Sequence, residues 1–396
     1  MTSFNKEILD LTIQEFINQN INSDISKLAL KGIPFSDNLK QDIITQIESK
    51  KKCEKKLPTW FNSQNIFFPP KLNIEQTSSE VTAKYKADII TGNSIIDITG
   101  GFGVDCYYFS KKVKSVIHCD LNINLSQIVK YNASILKTNN IEFYANDGIQ
   151  ILKSINKKVD WIYIDPSRRN DIKGKVFLLK DCLPNVPKYL DTLFDFSKNI
   201  MIKTSPILDI SSGINELKNV KHIHCIAVNN EVKELLWVLE KGYNAPIEIK
   251  TVNITNTEEQ HFNFYLNQES EVLPSYSKPL NYLYEPNAAI LKSGAFNSVA
   301  IQQNIYKLYK HSHLYTSNNL LEFPGRRFKI LKTTDYNKKN YKKEINLDVA
   351  NVTTRNFPET VAQIRKKFKI KDGGKNYLFF TTISKNSKII ISCAKI

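Results

Sequence analysis

Residues 95–105, which read IIDITGGFGVD, decide the fold of this chain. An apolar run leads into a glycine-rich turn, and a helical pattern follows. Glycines at such a turn let the backbone come close to a ligand and present N–H groups at the start of the helix. The turn has neither the GxGxxG of dinucleotide sites nor the GxxxxGK(S/T) of phosphate loops. Because Asp97 precedes the turn and would repel pyrophosphate, the segment favours a cationic ligand.

Outward from this turn, short apolar runs alternate with helical patterns. The predicted strands are residues 94–98, 115–119, 141–144, 161–164, 200–203, 222–228 and 235–239. Alternation of this kind predicts a parallel α/β sheet with crossover helices. The predicted fold class is therefore α/β, with a Rossmann-like sheet of seven strands. Residues 246–267 have an alternating pattern, which predicts antiparallel strands at the end of the α/β segment.

Acidic residues follow the first three predicted strands. Ligands of open α/β sheets lie beyond the carboxyl ends of the strands. A ligand with an ammonium and a sulfonium group fits Asp97, which leads to the hypothesis that it is S-adenosylmethionine (SAM). Asp120 would accept from the ribose hydroxyls and Asp147 would bond the adenine amino group. Each aspartate alone equally fits a turn or helix cap. The candidate cofactor-binding residues are Asp97, Thr99, Gly100, Gly101, Gly103, Asp120, Asp147 and Asp165.

The fourth predicted strand ends in the candidate catalytic residues Asp165, Pro166 and Ser167. Asp165 is expected to orient or deprotonate an attacking nitrogen. Pro166 stiffens the turn. Arg168 and Arg169, which follow directly, are candidates for gripping a phosphate of a nucleic acid. The alternative is a strand-end cap beside two surface arginines.

Charge is concentrated at the end of the chain. The formal net charge is +16, and residues 277–396 hold 22 basic and 7 acidic residues. A basic module on a neutral body is typical of a part that binds a polyanion, although a general drift towards surface lysine is the alternative. Arginine is rare in this chain, so its forked side chain is expected where phosphate or carboxylate is bound. The candidate RNA-binding arginines are Arg168, Arg169, Arg326, Arg327, Arg355 and Arg365, with structural ion pairs as the alternative.

Composition excludes several classes of protein. Hydrophobic residues make up 41% and charged residues 24%, as in ordinary globular proteins rather than disordered or collagen-like chains. No apolar run approaches the length of a membrane span, and the first residues do not read as a secretory signal. The six cysteines are scattered, which predicts reduced thiols in a cytoplasmic protein and no metal site.

The middle of the chain resembles class I SAM-dependent methyltransferases. Residues 97–105 resemble their SAM-binding loop, and residues 165–168 are similar to the (D/N)PP(Y/F/R) element of nitrogen methyltransferases that act on nucleic acids. Ser167 stands where that element has its second proline, and no aromatic residue follows. The wider pattern resembles bacterial methyltransferases with a C-terminal THUMP-like domain. It is carried by residues 78–80, 84–87, 97–105, 165–169, 284–290, 323–328 and 354–358.

Pattern and resemblance together predict four parts. These are a helical N-terminal cap (1–75), a Rossmann-like methyltransferase domain (76–272), a small ferredoxin-like connector (273–322) and a basic THUMP-like domain (323–396). The resemblance implies SAM as cofactor. Glu80 and Lys84 are expected either to line the SAM pocket or to lie on a solvated helix face, and Lys203 either to meet substrate or to have no special role.

The leading hypothesis is a SAM-dependent methyltransferase that modifies a base nitrogen in structured RNA, tRNA or rRNA, held by the basic module. One alternative is a protein or small-molecule methyltransferase that uses the basic module for docking. Another is a non-catalytic protein that binds both SAM and RNA. A dehydrogenase is disfavoured because GxGxxG is absent and Asp97 is acidic.

Overall fold

The computed structural model describes residues 4–168, 178–385 and 387–396. They form two compact units. Unit 1 consists of Met1–Thr204, Ser211–Asn219 and Val238–Tyr243, and unit 2 of Ser205–Ile210, Val220–Trp237 and Asn244–Ile396. Among the described residues, no helix is both long and apolar enough to cross a bilayer.

Unit 1 begins with a group of helices packed around Ile43, Ile47 and Trp60, which are almost fully buried. Side chains of Asp10 and Asp24 cap the first two helices, and Pro58 stands in the first turn of the fourth. After a 3₁₀ turn at Lys6–Leu9, the helices are α1 (Leu11–Gln19), α2 (Ile25–Lys31), α3 (Asp37–Lys56), α4 (Pro58–Asn62) and α5 (Lys71–Gln76).

An alternating α/β segment follows. Its elements are α6 (Glu80–Ile89), β1 (Ser94–Asp97), α7 (Val104–Ser110), β2 (Ser115–Cys119), α8 (Ile123–Ile135), β3 (Ile141–Tyr144), α9 (Gly148–Ile155), β4 (Trp161–Ile164), β5 (Ser167–Arg168), β6 (Cys182–Leu183), α10 (Val186–Phe196), β7 (Asn199–Thr204) and α11 (Ile210–Glu216), with a 3₁₀ turn at Leu179–Asp181. β5 and β6 form a separate antiparallel pair.

Five strands of unit 1 are parallel neighbours in the order β7-β4-β1-β2-β3. Both faces of such a sheet are covered, which explains the fully buried Ile95, Ile96 and Ile162. Asp97 is in register with His118 on β2 and with Tyr163 on β4. The carboxyl ends of all five strands therefore lie along one edge, where a ligand site is expected.

Unit 2 contains β8 (Val220–Val228), most of β9 (Glu231–Glu240), β10 (Glu248–Ile254), β11 (Glu259–Tyr265), α12 (Leu266–Glu271), β12 (Tyr282–Pro286), α13 (Ala288–Ser293), α14 (Ser298–Gln302), β13 (Tyr306–Lys307), β14 (Tyr315–Ser317), β15 (Gly325–Asp335), α15 (Lys338–Glu344), β16 (Asn351–Arg355), α16 (Val361–Phe368), β17 (Asn376–Ser384) and β18 (Ser387–Lys395). β10 pairs with β8 in parallel and with β11 antiparallel. A second, mixed sheet has the order β13-β14-β12-β15-β18-β17-β16.

The predicted Rossmann-like α/β class and the C-terminal α+β module are confirmed, and the strand count is corrected. The large sheet has nine strands among the described residues, not seven. The two additional strands are β10 and β11. Their alternating pattern predicted antiparallel strands, but it did not assign them to this sheet. Their inward residues Ile249, Phe262 and Phe264 are buried, as period-two patterning requires.

Candidate functional site

The turn after β1 is held together by the side chain of Asp97. Its Oδ1 accepts hydrogen bonds from the N–H of Thr99 at 2.9 Å and from the Thr99 hydroxyl at 3.1 Å. The Cys106 thiol donates to Oδ2 at 3.4 Å. Asp97 is 1% exposed, and burial raises its pKa to about 8, against the lowering effect of the Thr99 N–H. No cation forms an ion pair with it among the described residues.

The glycines of the turn serve different purposes. A Cβ on Gly100 would lie 2.3 Å from Nε2 of the buried His118, and one on Gly103 would lie 2.4 Å from Val129 on α8. These two glycines are needed for packing inside the protein. Gly101 has a φ of +52°, and a Cβ there would have its nearest neighbour 3.8 Å away. Gly101 is therefore the glycine beside which space is open for a ligand.

Asp120 links the end of β2 to the glycine turn. Its Oδ2 accepts from the Gly101 N–H at 2.8 Å, and its Oδ1 accepts from the Asn122 N–H at 2.7 Å. Each carboxylate oxygen has a second lone pair, so Asp120 keeps acceptor capacity for hydroxyl groups. Asp147 caps α9 by accepting from the Gln150 N–H at 2.9 Å. Asp147 thus acts as a helix cap, which is the alternative role that the sequence left open for it.

Asp165 is tied to the same turn. Its N–H donates to the Thr99 hydroxyl oxygen at 2.7 Å, so Thr99 connects the ends of β1 and β4. The Asp165 carboxylate forms an ion pair with Lys203 of β7, and their side chains are 32% and 13% exposed. Pro166 is buried and Ser167 is exposed. Lys203 is therefore a direct partner of the candidate catalytic carboxylate. The side chain of Arg168 and all of Arg169 lie outside the described residues.

A buried ion pair between Lys86 and Asp105 was not predicted from the sequence. Lys86 is fully buried, and its Nζ lies 3.1 Å from Oδ1 of Asp105 and 2.9 Å from Oγ of Ser78. Ser78 and Tyr163 donate to Oδ2 of Asp105 at 2.8 Å and 3.0 Å. Burial alone would raise the pKa of Asp105, but the charges of Lys86 and Lys203 outweigh it and hold that pKa below its ordinary value. The sequence feature that could have indicated the burial of Lys86 is its helical position, because it shares the inner face of α6 with alanines.

The two residues singled out on α6 behave differently. Glu80 is buried and accepts from the Thr59 N–H at 2.6 Å, the Thr59 hydroxyl at 2.7 Å and the Tyr108 hydroxyl at 2.7 Å. It joins α4, α6 and α7, so it is neither on a solvated face nor free to meet a ligand. Lys84 is exposed, which agrees with the alternative that it lies on a solvated helix face.

The four described candidate arginines of unit 2 all form ion pairs. Arg326 and Arg355 share Glu285, whose side chain is 3% exposed, and Nε of Arg326 lies 2.6 Å from Oε2. Two further pairs join Arg327 to Glu322 and Arg365 to Asp372. The structural alternative is therefore present for each arginine, while contact with RNA stays a prediction.

Comparison with known proteins agrees with the fold and with the C-terminal domains. Residues 325–395 match the THUMP domain-like family, and residues 282–324 match a ferredoxin-like domain family. A proposed methyltransferase from Porphyromonas gingivalis W83 is 28% identical, with a TM-score of 0.89 over 100% of both chains. The chain thus has a methyltransferase fold followed by ferredoxin-like and THUMP-like domains, which confirms the resemblance.

Two other relatives are more distant. An uncharacterized RNA methyltransferase of Mycoplasma mobile is 26% identical over 184 residues, which are 44% of this chain and 50% of that protein. The match thus spans about half the length of that curated relative. Mycoplasma capricolum TrmK, solved with S-adenosyl-homocysteine, is 16% identical with a TM-score of 0.32 over 41% of this chain, a similarity too weak to carry an argument.

Proposed function

We propose that unit 1 binds S-adenosylmethionine and transfers its methyl group to a base nitrogen in structured RNA. The observation that carries the proposal is the joining of three strand ends around one glycine turn. Thr99 bridges Asp97 and Asp165, and Gly101 is bonded to Asp120. Such an arrangement presents carboxylates to a ligand at the edge where open α/β sheets bind ligands.

The side chains of this site fit the chemistry of SAM. Gly101 adjoins open space, and Asp120 retains acceptor capacity for a ribose diol. Asp97 is a buried carboxyl that has no cationic partner among the described residues, and the ammonium or sulfonium of SAM would supply one. Asp147 would accept from the adenine amino group. When bound, SAM supplies a methyl group on a positively charged sulfur.

The catalytic roles follow from the end of β4. Asp165 would accept a hydrogen bond from the attacking nitrogen and take its proton as the new N–C bond forms and the bond between the methyl carbon and the sulfur breaks. The leaving group would be the neutral thioether S-adenosyl-homocysteine. Its ion pair with Lys203 fixes the direction of the carboxylate. The buried Pro166 stiffens the turn, and the exposed hydroxyl of Ser167 would face the approaching base.

RNA as the substrate is supported by charge and by similarity. Residues 277–396 carry 22 basic and 7 acidic residues, and they include the THUMP-like match. The curated relative from Mycoplasma mobile is named an RNA methyltransferase. In this proposal tRNA or rRNA is held through its phosphates, which makes binding depend strongly on salt.

The test combines purified protein, labelled SAM and total RNA from a host strain that lacks this gene. Wild type should transfer label into ribonuclease-sensitive material, and Asp165→Ala should lose about a hundredfold or more of that activity. Asp191→Ala is the matched control, since Asp191 also pairs with a lysine, Lys218, but on the exposed face of α10.

Each outcome bears on the function. Label that resists ribonuclease would point to a protein or small molecule as substrate. No label with any RNA, together with normal SAM binding, would favour either a protein or small-molecule substrate or a protein that binds SAM and RNA without catalysis. Equal activity of the Asp165→Ala and wild-type proteins would remove Asp165 from the mechanism.

A further inference from the structure

Unit 2 contains a polar cavity of about 590 Å³ that the proposed reaction does not use. Its walls carry side-chain amides, including Asn230, Gln260 and Asn287, and its rim carries Arg326, Arg327 and Lys395. The volume falls in the range of about 300–1,000 Å³ typical of small-ligand sites.

The amides of the wall are fixed by hydrogen bonds to one another. Asn253 and Asn287, 3% and 2% exposed, both donate from Nδ2 to Oε1 of Gln260, at 3.1 Å and 3.3 Å. Asn253 Oδ1 accepts from the Asn230 N–H at 2.7 Å. The side-chain oxygen of Asn230 accepts from the Ala288 N–H at 2.8 Å. Because its oxygen is engaged in this way, the exposed Asn230 side chain holds its NH₂ group in one direction.

The rim keeps a positive balance after its internal ion pairs are counted. Arg326 shares the buried Glu285 with Arg355, so two guanidinium groups face one carboxylate. Arg327 pairs with Glu322, whose side chain is 94% exposed and is therefore easily displaced by a competing anion. Lys395 is exposed.

The cavity also has acidic groups. Glu258 accepts from the Gln260 amide at 2.7 Å, and Glu322 is the partner of Arg327. Three basic side chains line the cavity beside these two acids, and Ile396 lines it as well. A ligand that accepts hydrogen bonds from amides and carries an anionic group able to displace Glu322 from Arg327 fits these side chains.

We propose that this cavity binds a single unpaired nucleotide of the RNA substrate. Asparagine and glutamine amides pair with the hydrogen-bonding edges of bases, and sequence-specific proteins read RNA mainly at unstacked nucleotides. The arginines and Lys395 bind the phosphate of the same nucleotide. The inference rests on the proposed function only for RNA as the partner, because the cavity lies within unit 2 and its binding needs no SAM.

The test measures binding of the four nucleoside 5′-monophosphates and of a single-stranded hexaribonucleotide by calorimetry, without SAM. Arg327→Ala is compared with Lys233→Ala. Lys233 is also an exposed cation of unit 2 that pairs with one exposed acid, Glu231, but it is not one of the residues that line the cavity. Arg327→Ala should weaken binding of the preferred monophosphate about tenfold, while Lys233→Ala leaves it unchanged. Melting temperatures of both variants confirm that they are folded.

Three results would overturn the inference. These are no binding of any monophosphate, an equal loss in the Arg327→Ala and Lys233→Ala variants, or inorganic phosphate binding as tightly as every monophosphate. The proposed function can fail separately. Monophosphate binding that depends on Arg327, with no methyl transfer to RNA, would support the nucleotide site and contradict the methyltransferase function. RNA methylation that is insensitive to Arg327→Ala would support the methyltransferase function and contradict the nucleotide site.

Discussion

Asp97 in unit 1 and Glu285 in unit 2 are both buried carboxylic acids, yet their surroundings are opposite. Glu285 faces two guanidinium groups, from Arg326 and Arg355. Asp97 is surrounded by a backbone N–H, the hydroxyl of Thr99 and the thiol of Cys106. A buried carboxylate needs a cation to stay ionised at low cost. Glu285 already has its cations, whereas the part of the chain that the structure describes provides none for Asp97.

The difference separates a structural acid from a candidate ligand site. Both cations of Glu285 come from within unit 2, so it stabilises the fold whether or not RNA is bound. Burial raises the pKa of Asp97 to about 8, so in the free protein it holds a proton near neutral pH. A cationic ligand would be the missing partner of Asp97. The following variants test that distinction.

The largest effect is expected from Glu285→Ala. Removing this carboxylate leaves Arg326 and Arg355 facing each other without compensation, and breaking a buried ion pair in this way costs about 3–5 kcal/mol. Denaturant unfolding should therefore show a loss of that size, while Glu322→Ala, which removes an exposed partner of Arg327, should cost less than about 1 kcal/mol. Similar losses in both variants would contradict the structural role of Glu285.

Asp97→Ala should weaken SAM binding about a hundredfold, which corresponds to about 2.7 kcal/mol. It removes the acid that would face the ligand cation and also the acceptor for Thr99. Asp97→Asn is the sharper variant, because its side-chain oxygen can still accept from Thr99 while the charge is gone. Calorimetric titration with SAM should show a comparable loss for both variants.

Thermal unfolding controls for a folding defect. The pKa of Asp97 is raised in the folded protein, so protonated Asp97 makes its full contribution to the free energy of unfolding below about pH 4. This contribution is lost as the pH rises through about 8. Asp97→Asn carries no such loss, so at pH 9 it should melt at a higher temperature than wild type. An Asp97→Asn protein that is stable and binds SAM normally would overturn the assignment of Asp97.

Much of unit 1 was predictable because its strands and turns are local in sequence. Strands β2, β3 and β4 have the predicted bounds, since short apolar runs end at polar turn residues. Gly101 and Asp120 were both predicted as site residues, and they are bonded to each other. The glycine turn and the strand ends carry this information within a few residues of each other.

The charge partners were not predictable, because they join residues far apart in the chain. Lys86 and Asp105 lie on different helices, and Glu285 meets arginines from two later strands. The one local feature that separates the fully buried Lys86 from the exposed Lys84 is that Lys86 shares a helix face with alanines. That feature does not reveal Asp105 as the partner, because the pairing depends on the packing of α6 on α7.

The pH dependence of SAM binding gives the smallest and most specific effect. If the ligand requires ionised Asp97, whose pKa is about 8 in the free protein, affinity should rise about fiftyfold from pH 6 to pH 8 and only about twofold above that. The amino group of SAM also titrates in this range, so the same series on Asp97→Asn serves as the reference. The ratio of the two affinities then isolates the carboxyl at position 97. A ratio that stays constant from pH 6 to pH 9 would show that Asp97 binds no cation, leaving it a residue that only holds the glycine turn together through Thr99.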